Sequence, residues 1–87
     1  MILIDPPDVP GHGRWWSHLV SDESYEELHE FAAGLGMPLR AFERDHYDVP
    51  SEWYADAVAA GAHPVPSREL VARLIASGLR RRKPPGA

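Results

Sequence analysis

The chain has 87 residues and no cysteine, so we expect a single domain that neither disulfides nor thiolate zinc sites stabilise. Its net charge is −4, and because Arg80, Arg81, Arg82 and Lys83 contribute +4, residues 1–79 carry −8. An acidic body argues against a surface that coats nucleic acid, which needs clustered lysine and arginine. Only the basic tail offers nucleic acid an accessory contact.

No stretch approaches the roughly 20 apolar residues of a membrane span, and the apolar run Met1–Ile4 is too short for a signal peptide. We therefore expect a cytoplasmic protein. A domain of this size buries only about 60–65% of its unfolded surface. Sharing apolar surface with a second copy would add stability, so a homodimer is also expected.

Two apolar segments near the start of the chain are typical of strands. Ile2-Leu3-Ile4 predicts a short strand buried on both faces, and the segment from Trp15 to Val20 predicts a second strand or an extended buried segment. Between them, residues 5–13 contain three prolines and two glycines. Such a segment does not continue a helix or a central strand, so we expect a loop, ordered or mobile.

The clearest element is a helix that begins near Ser21, Asp22 or Ser24, since each of these residues can cap a helix. Ser24 and Glu27 have the spacing of a capping box. Gly36 predicts a left-handed end, and Pro38 stops the helix. One face of this helix is apolar and comprises Tyr25, Leu28, Phe31, Ala32 and Leu35.

The second half repeats this alternation of elements. A strand is expected near residues 41–44 or 47–49, a second helix from Ser51 to Gly61, and a third from Ser67 to Gly78. His63-Pro64-Val65 predicts a brief extended piece at a sheet edge. The sequence thus predicts an α/β fold with a small single-layer sheet of about three short strands, packed by about three helices. Helix-containing connections favour parallel pairing, which stays open. Residues 1–79 form the domain, and 80–87 a basic tail expected to be disordered.

Four sequence blocks carry a resemblance to a known family. They are Trp16-Ser17-His18-Leu19, Glu27-Leu28-His29, Asp45-His46-Tyr47-Asp48-Val49-Pro50, and Gly61-Ala62 leading to Arg68-Glu69-Leu70-Val71. Together they resemble a small bacterial and phage family called domain of unknown function 4031, over the chain from Ile2 to about Leu79. The family often opens with paired aspartates, whereas Asp5 is followed here by Pro6. The resemblance implies a stand-alone domain and brings no activity with it.

Three histidines, His18, His29 and His46, form the first candidate site. Imidazole is the commonest protein ligand for zinc and similar divalent metals, and three histidines with a water make a tetrahedral catalytic site. No pair among the three has a local metal-ligand spacing such as His-x₃-His. The alternative is that each ring is a half-buried group that hydrogen-bonds backbone or carboxylate.

The second candidate is the segment Asp45-His46-Tyr47-Asp48. Asp48 beside His46 suits acid–base catalysis, and Tyr47 can donate a hydrogen bond to a developing oxyanion. On a strand, residues 46 and 48 share one face, which makes His46 and Asp48 the pair of interest. Alternatively, Asp48 only turns the chain ahead of Pro50.

The third candidate is the loop before Arg14. Asp5 and His12 lie in it where a strand ends, and Arg14 can hold a phosphate or carboxylate with two hydrogen bonds. Gly11-His12-Gly13 is not a phosphate-loop fingerprint, so a plain surface loop is the alternative.

The first functional hypothesis is a site that binds a divalent metal or a small anionic ligand and performs hydrolytic or acid–base chemistry. The rival is a non-catalytic module that meets a protein or nucleic-acid partner through its basic tail and exposed tryptophan. At least one of Trp15, Trp16 and Trp53 is expected in the core. Without cysteine, thiol catalysis is excluded.

Overall fold

A six-stranded mixed sheet is the centre of the protein in the computed structural model, which describes residues 1–81. Its strands are β1 (Ile2–Ile4), β2 (Val9–Gly11), β3 (Arg14–Ser21), β4 (Phe42–Glu43), β5 (His46–Pro50) and β6 (His63–Pro64). The strand order is β4-β5-β3-β1-β6, and β2 also pairs with β3. Within residues 1–81, β1 and β6 make the one parallel pair.

The predicted α/β class is confirmed, and the predicted number of about three strands is corrected to six. β2, β4 and β6 are two or three residues long, and two of them contain proline. Such strands are too short to show an alternating pattern of apolar and polar residues. They are held by backbone pairing with β3, β5 and β1, which local sequence does not reveal.

The segment predicted as a loop contains a β-hairpin. β2 and β3 are joined by His12 and Gly13, whose φ angles are 52° and 71°. Positive φ at both positions is the geometry of a type I′ turn, which matches the twist of paired strands. The indole Nε1 of Trp16 donates to the Gly11 carbonyl over 2.8 Å and ties the side chain to the turn.

Three α-helices are present, as predicted: α1 (Tyr25–Gly34), α2 (Tyr54–Ala59) and α3 (Ser67–Ala76). At the start of α1, the Ser24 hydroxyl accepts a hydrogen bond from the Glu27 amide over 3.1 Å. Gly36 has a φ of 88°, and the Met37 amide after it donates to the carbonyl of Ala32. This is the glycine-based helix end that the sequence predicted.

Replacing Ser24 by alanine should lower the free energy of unfolding by about 1 kcal/mol, because one amide of the first turn loses its acceptor. Ser51 is a matched control, since it was also predicted as a cap. Its hydroxyl instead donates to the exposed side chain of Glu52. Urea unfolding of Ser24→Ala and Ser51→Ala should therefore differ, and equal losses would contradict the capping role.

The sheet separates two groups of buried apolar residues. The larger group lies on the side of α1 and α2, and the smaller group lies under α3. The larger one comprises Ile2, Ile4, Leu19, Leu28, Ala32, Met37, Tyr47, Val49, Ala57 and Ala62. The smaller one comprises Leu3, Val20, Leu70 and Leu74. Because side chains alternate along a strand, β1 and β3 contribute to both groups.

The α3 side of the sheet is only partly covered. α3 packs over β1 and β3 through Leu70 and Leu74. The residues of β5 on that side, His46, Asp48 and Pro50, are only partly buried. Polar side chains can therefore reach solvent there, and this is where the candidate site lies.

None of the three tryptophans belongs to the core, which corrects the expectation that at least one does. Trp15 is 54% exposed, Trp53 is 37% exposed, and Trp16 is half-buried. Trp15 and Trp16 lie at the end of β3 that pairs with β2, away from the segment of β3 that pairs with β1.

Two residues of the predicted tail contact the domain. The Arg81 amide donates to Asp45 Oδ2 over 3.2 Å, and its guanidinium carbon lies 4.3 Å from the centre of the Tyr25 ring. Arg80 Nε lies 3.8 Å from the same oxygen of Asp45. The prediction of a disordered tail from residue 82 to 87 lies outside the described residues. Within residues 1–81, no helix is both long enough and apolar enough to cross a membrane.

Candidate functional site: two histidines and an aspartate on the sheet

The pairing of β3 with β5 brings His18, His46 and Asp48 together on the α3 side of the sheet. His18 pairs with Asp48 in the strand register, and the rings of His18 and His46 have their centres 5.3 Å apart. His46 Nε2 lies 3.2 Å from Asp48 Oδ1. One potential ligand atom of each residue lies within 4.8 Å of the others. We call these three residues the His/Asp cluster.

A buried carboxylate orients the ring of His18. Asp5 follows β1 directly, and the antiparallel pairing of Ile4 with Leu19 sets it beside His18. Its Oδ2 lies 2.8 Å from His18 Nδ1, while its Oδ1 accepts the His18 amide over 2.6 Å. Ser67, the first residue of α3, donates to Oδ2 over 2.8 Å. These hydrogen bonds compensate the burial of Asp5, and they leave Nε2 of His18 for a ligand.

A second buried carboxylate orients His46. Asp45 Oδ1 lies 2.9 Å from His46 Nδ1, and Asp45 is only 2% exposed. Its other oxygen accepts the Arg81 amide. Asp45 stands in the two-residue turn between β4 and β5, in which Arg44 has a φ of 59°. Sequence reasoning grouped Asp45 with His46 but did not select it as a site residue; adjacency to a histidine was the available signal.

The carboxylates raise the pKa of both rings. The hydrogen bond with Asp5 raises the pKa of His18, and hydrogen bonds with Asp48 and Asp45 raise the pKa of His46. The hydrogen bond between His46 and Asp48 also lowers the pKa of Asp48. Burial alone would raise the pKa of Asp5, but the hydrogen bonds from His18 and Ser67 bring it below its ordinary value. The surrounding carboxylates therefore favour a positive charge at the cluster, which either a proton on each ring or a bound cation would supply.

The His/Asp cluster lies between two clefts, which share His18, Arg44 and His46 in their walls. The helix-side cleft, of about 240 Å³, runs along α3 and is also lined by Val20, Asp45, Leu70, Val71, Leu74 and Arg80. The hairpin-side cleft, of about 530 Å³, is also lined by Val9, Pro10, Gly11, His12, Trp16, Glu43 and Asp48. A ligand bound at the cluster can thus extend in either direction.

His29, predicted as a third metal ligand, lies elsewhere. Its Nδ1 is 2.8 Å from the hydroxyl oxygen of Tyr47, on the side of the sheet that α1 covers. Successive residues of β5 point to opposite faces, so Tyr47 turns away from the side that holds His46 and Asp48. The structure therefore corrects the predicted three-histidine set to two histidines and an aspartate.

Tyr47, predicted as a catalytic residue, is a core residue. It is 1% exposed, and its burial raises the pKa of its phenol. Its ring packs against the rings of Phe42 and His29. It therefore has no access to a ligand on the α3 side.

Replacing Tyr47 by phenylalanine should lower the free energy of unfolding by about 1 kcal/mol, because the hydrogen bond to His29 is lost while the ring is kept. Any ligand or metal affinity of the His/Asp cluster should stay unchanged. Urea unfolding and a metal titration of the same preparation check both parts. A loss of affinity without a loss of stability would restore Tyr47 to the site.

The three residues predicted to bind a ligand have different positions. Asp5 is fully buried and acts on His18 instead of facing a cleft. His12 lines the hairpin-side cleft at the tip of the turn. Arg14 pairs with Glu52 and lies over the Trp16 ring, 5.3 Å from its centre, and it lines neither cleft.

The protein is thus a small α/β domain with a mixed sheet. One face of the sheet carries the His/Asp cluster, in which a buried aspartate holds each histidine. The chain belongs to the family described as protein of unknown function (DUF4031), whose model matches residues 2–77. The match includes all three cluster residues and both orienting aspartates. Neither a curated protein nor a solved structure matches the chain.

Proposed function

We propose that the His/Asp cluster binds one divalent metal ion and that the protein performs hydrolytic chemistry there. One observation carries the proposal. Both His18 and His46 have Nδ1 held by a buried carboxylate, and one ligand atom of each ring lies within 4.8 Å of the other and of an Asp48 carboxylate oxygen. Histidines that bind metals usually donate their other ring N–H to a carboxylate or carbonyl, which fixes the tautomer and makes Nε2 a better ligand.

The ligand atoms of the cluster would need to move only slightly closer together to bind one ion. Zinc–nitrogen bonds of about 2.0–2.1 Å place tetrahedral ligands about 3.3 Å apart. The atoms of the cluster lie within 4.8 Å of one another. Asp48 is 42% exposed, so its side chain is free to move toward an ion. Breaking its 3.2 Å contact with His46 Nε2 is part of that change.

Two imidazoles and one carboxylate leave coordination positions open, which suits zinc and other borderline divalent metals. Such an ion polarises a carbonyl or phosphoryl oxygen and lowers the pKa of water bound to it to about 7. The reaction class is then hydrolysis: water adds to an ester, and an acid and an alcohol leave. The two clefts provide space for the acid and alcohol portions.

The test is the metal content and zinc titration of protein purified without a histidine tag. We expect one equivalent of zinc per chain, and we expect His18→Ala, His46→Ala and Asp48→Ala to lose it while they stay folded. His63→Ala is the matched control, because His63 is exposed in β6 and outside the cluster. No zinc binding by the native protein, or equal loss in the control, would refute the proposal.

The rival hypothesis, an interaction module, has support from the exposed indoles of Trp15 and Trp53. Self-association through such a surface also stays a prediction. Light scattering of the native protein and of Trp15→Ser tests it. A dimer that Trp15→Ser dissociates would support the rival, and a monomer would oppose self-association.

A further inference from the structure

The two clefts beside the His/Asp cluster differ in charge. The wall of the hairpin-side cleft contains Arg44 together with the carboxylates of Glu43 and Asp48. In the helix-side cleft, Arg44 is joined by Arg80, and the one carboxylate is Asp45. Asp45 is buried, and its two oxygens accept hydrogen bonds from the His46 ring and the Arg81 amide. An anion therefore meets a more favourable potential in the helix-side cleft.

Arg44 is free to bind such an anion, and Arg80 forms one long ion pair with the buried Asp45. Arg44 is exposed, forms no ion pair within residues 1–81, and lies in the wall common to both clefts. Arg80 is 45% exposed, and its Nε is 3.8 Å from Asp45, which is beyond a normal hydrogen bond. Engaging a ligand thus costs neither arginine a strong interaction.

Part of the wall of the helix-side cleft is apolar. Val20, Leu70, Val71 and Leu74 line the helix-side cleft along α3. Leu70 and Leu74 belong to the buried group under α3, while Val71 is only partly buried. A ligand that fills the cleft therefore needs an apolar portion as well as a charged one.

We infer that the helix-side cleft takes a phosphate monoester with an apolar group, with the phosphate at the metal and Arg44 and the apolar group against α3. This rests on the metal site proposed above. A phosphate monoester carries up to two negative charges and three terminal oxygens. It can satisfy the ion and two arginines together, whereas a carboxylate has one charge and two oxygens.

The experiment uses phosphonates, because their carbon–phosphorus bond resists hydrolysis and keeps binding separate from turnover. Zinc is titrated first, and the zinc-loaded protein is then titrated with phenylphosphonate, methylphosphonate and benzoate by calorimetry. Phenylphosphonate should bind at least about tenfold more tightly than methylphosphonate, because its ring is buried against α3. It should also bind more tightly than benzoate, which keeps the ring and changes the anion.

Three variants locate the ligand. Arg44→Ala should weaken both phosphonates by about tenfold and leave zinc binding unchanged. Arg68→Ala removes the same charge from an exposed position on α3 outside both clefts, and it should change nothing. Val71→Thr keeps the size of the side chain and should reduce the preference for the phenyl over the methyl compound.

The outcomes separate this inference from the proposed function. Failure of the first zinc titration refutes the metal site and the inference with it. One bound zinc with equal affinities for the two phosphonates, or with no effect of Arg44→Ala, overturns the inference and leaves the metal site standing. Benzoate binding as tightly as phenylphosphonate overturns the choice of phosphate.

Discussion

Replacing Asp5 by asparagine should weaken zinc binding at the His/Asp cluster by about 10- to 100-fold, although Asp5 itself does not touch the ion. The carboxylate accepts hydrogen bonds from the His18 amide and from Ser67, and it holds His18 Nδ1. An asparagine side chain turns an NH₂ group toward one of these donors. The ring of His18 then loses the bond that fixes its tautomer and direction.

The same variant should lose about 1–3 kcal/mol of unfolding free energy, because it leaves buried donors without an acceptor. Zinc titration and urea unfolding measure the two effects. Asp8→Asn is the matched control, since Asp8 is exposed in the same loop and its replacement removes an equal charge. Ser67→Ala should produce a smaller change of the same kind. Unchanged zinc affinity in folded Asp5→Asn would contradict the orienting role.

Zinc affinity should fall steeply in acid, by up to about 100-fold for each pH unit below the pKa values of both histidines. The reason is that a proton must leave His18 and His46 before each ring can bind the ion. Because hydrogen bonds with Asp5 and with Asp48 raise these pKa values, the fall should begin above the ordinary histidine value of 6.5. Zinc titrations between pH 5 and 8 measure the slope. A slope that starts only below 6.5 would contradict the raised pKa values.

The metal-free protein should show the opposite trend in this range. A raised histidine pKa stabilises the fold fully below the unfolded value of 6.5, and this stabilisation is lost as pH rises through the folded pKa. The lowered pKa of Asp5 acts in the other direction: its contribution is present above 3.8 and is lost as pH falls through the folded value. The free energy of unfolding of the metal-free protein, measured with urea, should therefore be largest between pH 3.8 and pH 6.5. Asp5→Asn should flatten this maximum.

Local sequence predicted those features that depend on local chemistry. α1 was predictable because its cap, apolar face and glycine end are all contained in about 15 residues from Ser24 to Pro38. The pairing of His46 with Asp48 was predictable from strand alternation alone. The family resemblance was likewise confirmed over residues 2–77.

Features that depend on register were not predictable. Asp5 reaches His18 only because Ile4 pairs with Leu19, and nothing near Asp5 in sequence encodes that partner. His29 contacts Tyr47 of β5, and nothing near His29 in sequence identifies that partner. The pairings between distant segments have to be known before His18, His46 and Asp48 can be recognised as one site and His29 can be excluded from it.

The order in which the site residues occur along the chain has a consequence for how the family can diversify. The proposed metal ligands and the two aspartates that orient the histidines lie between Asp5 and Asp48, whereas most of the apolar wall and Arg80 come from α3 and the segment after it. Under the proposals above, the metal ligands and most of the apolar part of the ligand site therefore come from separate stretches of sequence. Exchanging residues 68–80 between family members, with Ser67 kept to hold Asp5, should transfer ligand preference while the metal chemistry is inherited unchanged.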